Sequence, residues 1–527
     1  MDLQEIKKIS EELQSKLEKV LVSADPSLVI LVKSLTMMLN TLLSMMVAKE
    51  QQNEALIEQV STLTKTILEL QETIKDLKRQ LGQNSQNSSK PPSTDGYKKP
   101  KPRSLREKTE RKAGGQKGHK GAHMEIPHDP DKVVTHVPEK CKNCPLLEQC
   151  KNNGSSFSCS EKRYEVNVEI KTIVTEHQLL RVRKCLCGEA PKGVKGEFPA
   201  NLTGYVQYGD SFSVIATILN TFGAVSYNRI ATIINNLTGL HLSEGTLTSM
   251  VSRCSSKLEV ALNTIKEKLQ GSKIVHFDET GVRVDGKLFW VHNSSTDKYT
   301  NLTINRKRGF EGIEDNGVLP NFKGIAIHDF WSAYYKFENA RHGACDVHIL
   351  RELNGVIDNE EKQTWASKFK DYLTKWLRNK KEFQESKIEK FPQEKIDEFE
   401  NEYDEIIRLA EQEFPEIEPS SKKKRGRIKQ GKVRSLIMRL KTYKDAVSYY
   451  IRDFDVPFDN NQAERDVRNV KTKSKIAGSF RSEKGAKDYL RIISYINTAK
   501  KHGIDAYKAL SAAFAGNADI IFGQGSE

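Results

Sequence analysis

The chain has 527 residues, too many for one compact core, so several domains are expected. Lys plus Arg number 84 against 70 Asp plus Glu, a net of +14 that favours a polyanionic partner, nucleic acid before membrane surface. No run of about 20 apolar residues reads as a membrane span, and the opening MDLQEIKKISEEL is charged helix, not a signal peptide. These features argue against transmembrane and secreted proteins and place the chain in a reducing interior, where clustered cysteines hold metal more often than they form disulfides.

Residues 1–48 read as amino-terminal helices, 1–24 and 27–48, broken near Pro26. In 49–82, Leu56, Leu63, Leu70 and Leu77 fall at d, Val60, Ile67 and Ile74 at a, and Leu81 closes the series. Branched residues at a with Leu at d favour a parallel two-stranded coiled coil, so a homo-oligomer, dimer or higher, is expected. The competing reading is one amphipathic helix lying on its own core. The helix stops at Gly82, and 83–130 reads as a disordered basic linker: the polar run Gln83–Pro92 cannot bury enough surface to fold. Residues 98–120 (KKPKPRSLREKTERKAGGQKGHK) serve either as solvated spacer or as an arm on DNA phosphates.

Six cysteines lie between 141 and 187, within a module spanning 131–200. Cys141 and Cys144 form a CxxC pair, and Cys185 and Cys187 form a CxC pair beyond RYEVNVEIKTIVTEHQLLRVRK, whose alternation suggests a β-hairpin. Four thiolates so arranged close a structural Zn²⁺ site. Cys150 and Cys159 are surplus, which leaves the ligand set open, and free thiols are the alternative.

Residues 205–270 give three short helical patterns, with Gly239 ending the second and Ser243 capping the third. The spacing suggests a helix-turn-helix with 243–254 as recognition helix; a linking bundle explains it equally well.

From 271 to 345 the pattern changes to strands. SKIVHFDET ends in Asp278 and Glu279, Asp285-Gly286 makes a hairpin turn, KLFWVHNSS and KYTNLTINR follow, and after a helix KGIAIHDF ends a fourth strand at Asp329. Three strands, a helix and a fourth strand is the order of a ribonuclease-H-like α/β core, which sets Asp278 beside Asp329. Paired carboxylates repel unless cations neutralise them, and hard oxygen ligands select Mg²⁺ or Mn²⁺, two ions per site. Residues 346–450 read as a helical insertion ending near SKKKRGRIKQGKVR, a second cationic run. Residues 451–527 return to the core and carry Glu464 one turn into a helix, followed by Arg465, Arg468 and Lys471. With Lys473, Lys475 and Arg481 these cations are the expected DNA contacts, and His348 is a further candidate beside the phosphate. The fold class expected is thus multidomain α+β: coiled coil, small zinc-binding β module, helix-turn-helix-like segment and ribonuclease-H-like core with a helical insertion.

The motifs QNSSKPPSTDG, GGQKGHKG, HFDET, HDFWSAYYKF, CDVHILREL, DNNQAERDVR, KSKIAGSFRSEKGA and YINTAKKHGID, in that order, resemble those of transposases of the insertion sequence 66 family through nearly the whole chain. The resemblance implies a DDE-type transposase with its acidic triad at Asp278, Asp329 and Glu464, an amino-terminal zipper and a zinc module for element ends. It also implies double-stranded DNA, transposon ends and target, as partner, a cytoplasmic, nucleoid-associated setting in bacteria, and accessory proteins of the same element. The CxC pair and the two extra cysteines depart from the family pattern. The alternatives carried are a non-catalytic DNA-binding regulator and a nuclease or resolvase on the same fold.

Overall fold

The computed structural model describes residues 3–20, 25–88, 95, 129–360, 363–416 and 431–523. The proposed basic arm, 98–120, and most of the SKKKRGRIKQGKVR run lie outside the described residues. The chain divides into two units, Met1–Lys101 with Asn354–Glu361, and Pro102–Leu353 with Lys362–Glu527.

The first unit holds α1 (Leu3–Val20) and α2 (Pro26–Leu81). Pro26 opens α2 at a position where its missing N–H costs nothing, and Asp25 caps the first turn by accepting from Ser27 N at 2.8 Å. The expected break near Pro26 is present. The expected boundary between 48 and 49 is not: one helix of 56 residues runs from Pro26 to Leu81, since nothing in that stretch breaks a helix. By length and composition this helix is apolar enough to cross a membrane, contrary to the sequence expectation, with a mean hydropathy of 1.7 over its best 18-residue window. Hydropathy counts Leu and Met alike whether they face lipid or another helix.

The polar run after Gly82 is also more ordered than its composition suggests. Asn87 Nδ2 donates to Asp358 Oδ2 and Gly82 O, Ser85 binds Asp95, and Asn354 Nδ2 donates to Gln86 O. Side-chain amides here replace the apolar burial that the composition lacks. Gly355 lies so close to Asn87 O that a Cβ would sit 2.5 Å from it.

The second unit begins with a 3-10 turn at Glu139–Cys141 and α3 (Leu147–Asn152). The expected hairpin over 163–184 is absent: the described residues there carry no strand, and one antiparallel bridge joins Arg181 to Lys195. Val168, Ile173 and Val174 are almost fully exposed, so the alternating pattern has no second layer to bury against. Then come α4 (Asp210–Thr221), α5 (Tyr227–Thr238), α6 (Glu244–Lys257) and α7 (Glu259–Gln270). Gly239 ends α5 in the left-handed region and Ser243 Oγ accepts from Thr246 N at the start of α6, both as read from sequence.

The sheet comprises β1 (Ile274–Val284), β2 (Lys287–Ser295), β3 (Thr300–Asn305), β4 (Ile325–His328) and β5 (Arg341–Ala344), in the order β3-β2-β1-β4-β5. The first three strands are antiparallel; β4 and β5 run parallel to β1. Asp285 and Gly286 both have positive φ, as a two-residue primed turn requires. Helix α8 (Phe310–Asn316) separates β3 from β4. The helical insertion consists of α9 (Asp346–Asn359), α10 (Trp365–Glu385), α11 (Gln393–Glu413), α12 (Gly431–Thr442) and α13 (Lys444–Arg452). Its buried Tyr372 and Tyr403 hydroxyls donate to Phe399 O and Leu440 O. The chain closes with α14 (Asn461–Asp466), α15 (Arg468–Ala477), α16 (Glu483–Lys501) and α17 (Ala506–Phe514).

Helix α16 organises the core. Its Ile492, Tyr495 and Ile496 pack with Val275, Phe277 and Ala326 of the sheet, while Tyr489, Leu490 and Ile493 pack with Val282, Phe289 and Leu302. It also covers the sheet edge: Ser494 Oγ and Thr498 Oγ1 accept from Leu302 N and Thr300 N, the outward donors of β3.

Candidate active site

The register of β1 and β4 pairs Ile274 with Ile325, Val275 with Ala326 and His276 with Ile327. Continued two residues further, it sets Asp278 opposite Asp329, which follows directly on β4. Asp278 stands within β1, not at its end as expected, because β1 continues beyond the parallel pair to Val284 along β2. Both carboxyls are withdrawn from water and crowded by like charge. Burial, then Glu279 and Asp329, push Asp278 up to about 8; burial and Glu279 push Asp329 up to about 6. Asp329 Oδ1 is buried without a hydrogen-bond partner. Such a pair holds protons or cations; it does not stay bare.

Glu464 lies in the first turn of α14, with its Oε1 3.9 Å from His348 Nε2. His348, in the first turn of α9, opposes the upward shift of both aspartates, so its ring sits within electrostatic reach of them. Its Nδ1 lies 3.2 Å from Cys345 Sγ.

The seat of α14 is set by a residue the sequence reading did not single out. Buried Asn460 donates from Nδ2 to Phe277 O at 2.7 Å, shares a hydrogen bond with His276 Nδ1 through Oδ1, and donates its backbone N–H to Cys345 Sγ. One amide therefore ties the start of the Glu464 helix to the strand residue before Asp278. Asn293 Nδ2 adds a bond to Ala463 O.

Glu279 also carries more than its sequence position suggested. Its buried Oε1 accepts from both Arg308 Nε and Nη2, and its Oε2 accepts from Tyr334 OH at 2.5 Å. The Arg308 guanidinium lies between Trp290 and Trp331, 4.9 and 4.3 Å from the ring centroids. Two guanidinium nitrogens converge on one carboxylate oxygen while Tyr334 holds the other, which fixes the Glu279 side chain. No motif short enough to read from sequence joins 279, 308 and 334.

Of the expected DNA contacts, Arg465, Arg468, Lys471, Lys475 and Arg481 are exposed, and Lys471 is near enough to Asp278 to favour its charged form. Arg481 faces Glu244 at the start of α6. Lys473 is a correction: its amine is buried and donates to Asn220 O and Val225 O, satisfying carbonyls at the end of α4 and in the following turn. Burial lowers it to about 8. It points the opposite way from its neighbours because it follows Lys471 by two residues, half a turn of helix.

Among the described residues no three His, Cys, Asp or Glu side chains converge as a metal-ligand set. The donor chemistry around Asp278 and Asp329 nevertheless fits a hard cation: the donors are all oxygen, they repel one another, and one buried oxygen has no partner. In the cysteine module Cys185 Sγ and Cys187 Sγ are 3.1 Å apart. Ala190 N–H and Cys187 lower the Cys185 thiol to about 7, toward the thiolate that a metal needs. Cys141 and Cys144 form a separate tight turn, Cys144 N donating to Cys141 O.

A family model described as Transposase IS66 family matches residues 209–488, from α4 into α16, and a family of unknown function (DUF6444) matches residues 44–125. No curated protein matches the chain. Since the first match covers more than half of the chain and takes in the sheet, Asp278, Asp329 and the α14 helix, the chain belongs to the IS66 family of transposases.

Proposed function

We propose that this transposase binds the ends of a DNA element and catalyses metal-dependent strand cleavage followed by transfer of a 3′-hydroxyl to target DNA. The observation that carries the reading is the parallel β1–β4 register, which continued past β4 sets Asp278 opposite Asp329, with one carboxylate oxygen unpartnered and Glu464 beside His348. The strand order, with three antiparallel strands and two parallel additions, supports a ribonuclease-H-like core.

In this reading Asp278, Asp329 and Glu464 hold two Mg²⁺ or Mn²⁺ ions, which when bound supply an activated water or 3′-hydroxyl and a stabilised leaving oxygen. The remaining steps belong to the chain. Glu464, which stands beside His348, is the third carboxylate of that set, and Asn460 seats the helix that carries it. Lys471, Arg468 and Lys475 align the phosphate chain along α15, and Glu279 with Arg308 fixes the floor of the site. Helix α6 presents Thr248, Ser249 and Ser256 outward as a surface for base edges or phosphates. The four thiolates Cys141, Cys144, Cys185 and Cys187 hold Zn²⁺ once the two turns meet, and α2 joins copies of the chain.

Replacing Glu464 with Gln should abolish nicking of an end-containing duplex in Mg²⁺ and leave end binding largely intact. Nicking at the wild-type rate would remove Glu464 from the mechanism. Hydrolysis without any joined product would instead identify a nuclease.

A further inference from the structure

Because Pro26–Leu81 is one unbroken helix, the heptad frame of its carboxyl half can be carried back in steps of seven. It puts Leu42, Leu35 and Leu28 at d and Met46, Leu39 and Val32 at a, interrupted only by Lys49 at d and Asn53 at a. The zipper and the apolar segment before it therefore share one seam, about 54 residues and roughly 80 Å long. Helix α1 covers little of it: Val32 is half-buried in the groove between the two helices, Ser10 and Gln14 bond to Asn40 behind the seam, and Leu43, the buried residue of α2, flanks it. Leu35 and Leu42 are each 58 % exposed and Val60 is 60 % exposed. An exposed apolar stripe of this length marks an interaction surface.

The charge pattern identifies the occupant. In the carboxyl half, Glu58, Glu69, Glu72, Lys75, Asp76 and Arg79 all fall at outer positions. The flanks of the seam are neutral there, Lys78 excepted. An identical helix laid alongside meets almost no like charge, and no opposite charge selects a different partner. Asn53 decides the direction. In a parallel pair in register, residues at a meet their own counterparts, so the amide finds an amide; reversed, with the seams fully overlapped, it would face Leu56 and lose its hydrogen bonds. Lys49 is long enough to carry its ammonium out of the seam toward Glu50. Leu31, Met38 and Met45 widen the stripe in the amino half, which accounts for a hydropathy otherwise typical of a membrane span.

Resting on the self-association reading above, we infer that α2 pairs along Leu28–Leu81 with α2 of a second copy, parallel and in register, and that Asn53 fixes both the register and the two-chain state. The test uses the full chain without DNA. Light scattering should give twice the chain mass. Leu63→Cys, oxidised and digested, should yield a disulfide between two copies of position 63, which only a parallel pair in register permits. Asn53→Val should stay associated but shift toward more chains, and in the Leu63→Cys background should lower that cross-link yield several-fold. A single-chain mass for the wild type overturns pairing altogether. A two-chain mass with Asn53→Val unchanged in mass and cross-linking overturns the role of Asn53 alone. Single chains that float with phosphatidylglycerol vesicles would assign the stripe to lipid and overturn the proposal. None of these readouts depends on nicking, so an inactive catalytic site leaves the inference standing.

Discussion

Asp278 and Asp329 are costly residues for the fold. Each binds a proton more tightly in the folded chain than in the unfolded one, so the native state carries more protons between the ordinary carboxylate range and about 8. Stability of the metal-free protein therefore falls as pH rises through that window. Asp278→Asn should raise the melting temperature at pH 8 by a few degrees, on the order expected for relief of one buried charge, and flatten its pH dependence. Mg²⁺ should stabilise the wild type more than the variant; a variant that melts lower at pH 8 would show that Asp278 is not electrostatically strained. Glu279 is the opposite case, because Arg308 and Tyr334 satisfy it. Arg308→Ala leaves a buried carboxylate beside the aspartates and should cost about 2–5 kcal/mol of stability, measured by urea unfolding, whereas Arg308→Ala with Glu279→Gln should recover most of it.

At the scale of elements, α15 and α16 show how one helix serves two purposes. Lys471 and Lys475 face water and Lys473 faces the protein. Lys473→Met should lower stability by about 1–3 kcal/mol, since two buried carbonyls lose their donor, and leave the salt dependence of end binding unchanged. Lys471→Ala should do the reverse, lowering the slope of log affinity against log salt by about one. Paired measurements of unfolding and salt-dependent binding separate the two. On α16, Ser494 and Thr498 accept the outward N–H groups of β3. Ser494→Ala should expose an edge donor and destabilise by about 1–3 kcal/mol, and equilibrium unfolding reads this directly.

At the scale of the whole molecule, the cysteine module is the region whose local sequence and tertiary surroundings disagree most. Its alternating apolar residues stay exposed, and among the described residues its cysteines form no set of three or more; the Zn²⁺ proposed above would supply the fold that burial does not. The purified chain should carry about one Zn²⁺ per copy by elemental mass spectrometry, and Cys141→Ser should remove it. Retention of zinc by that variant would shift the ligand set to Cys150 or Cys159.

The sequence by itself determined the helices with clear periodicity, the Asp285-Gly286 turn and the caps at Gly239 and Ser243, because each is written in consecutive or regularly spaced residues. Tertiary structure alone decided what depends on residues far apart. The short β5, Arg341–Ala344, has no alternation to read and exists because β4 offers it a parallel edge. Lys473 sits in a cationic run that reads as phosphate-binding, and packing turns it inward to Asn220 O and Val225 O. Asn460 and the Glu279–Arg308–Tyr334 cluster join residues up to 184 positions apart. Their hydrogen bonds form only after the chain has folded, so no local pattern records them.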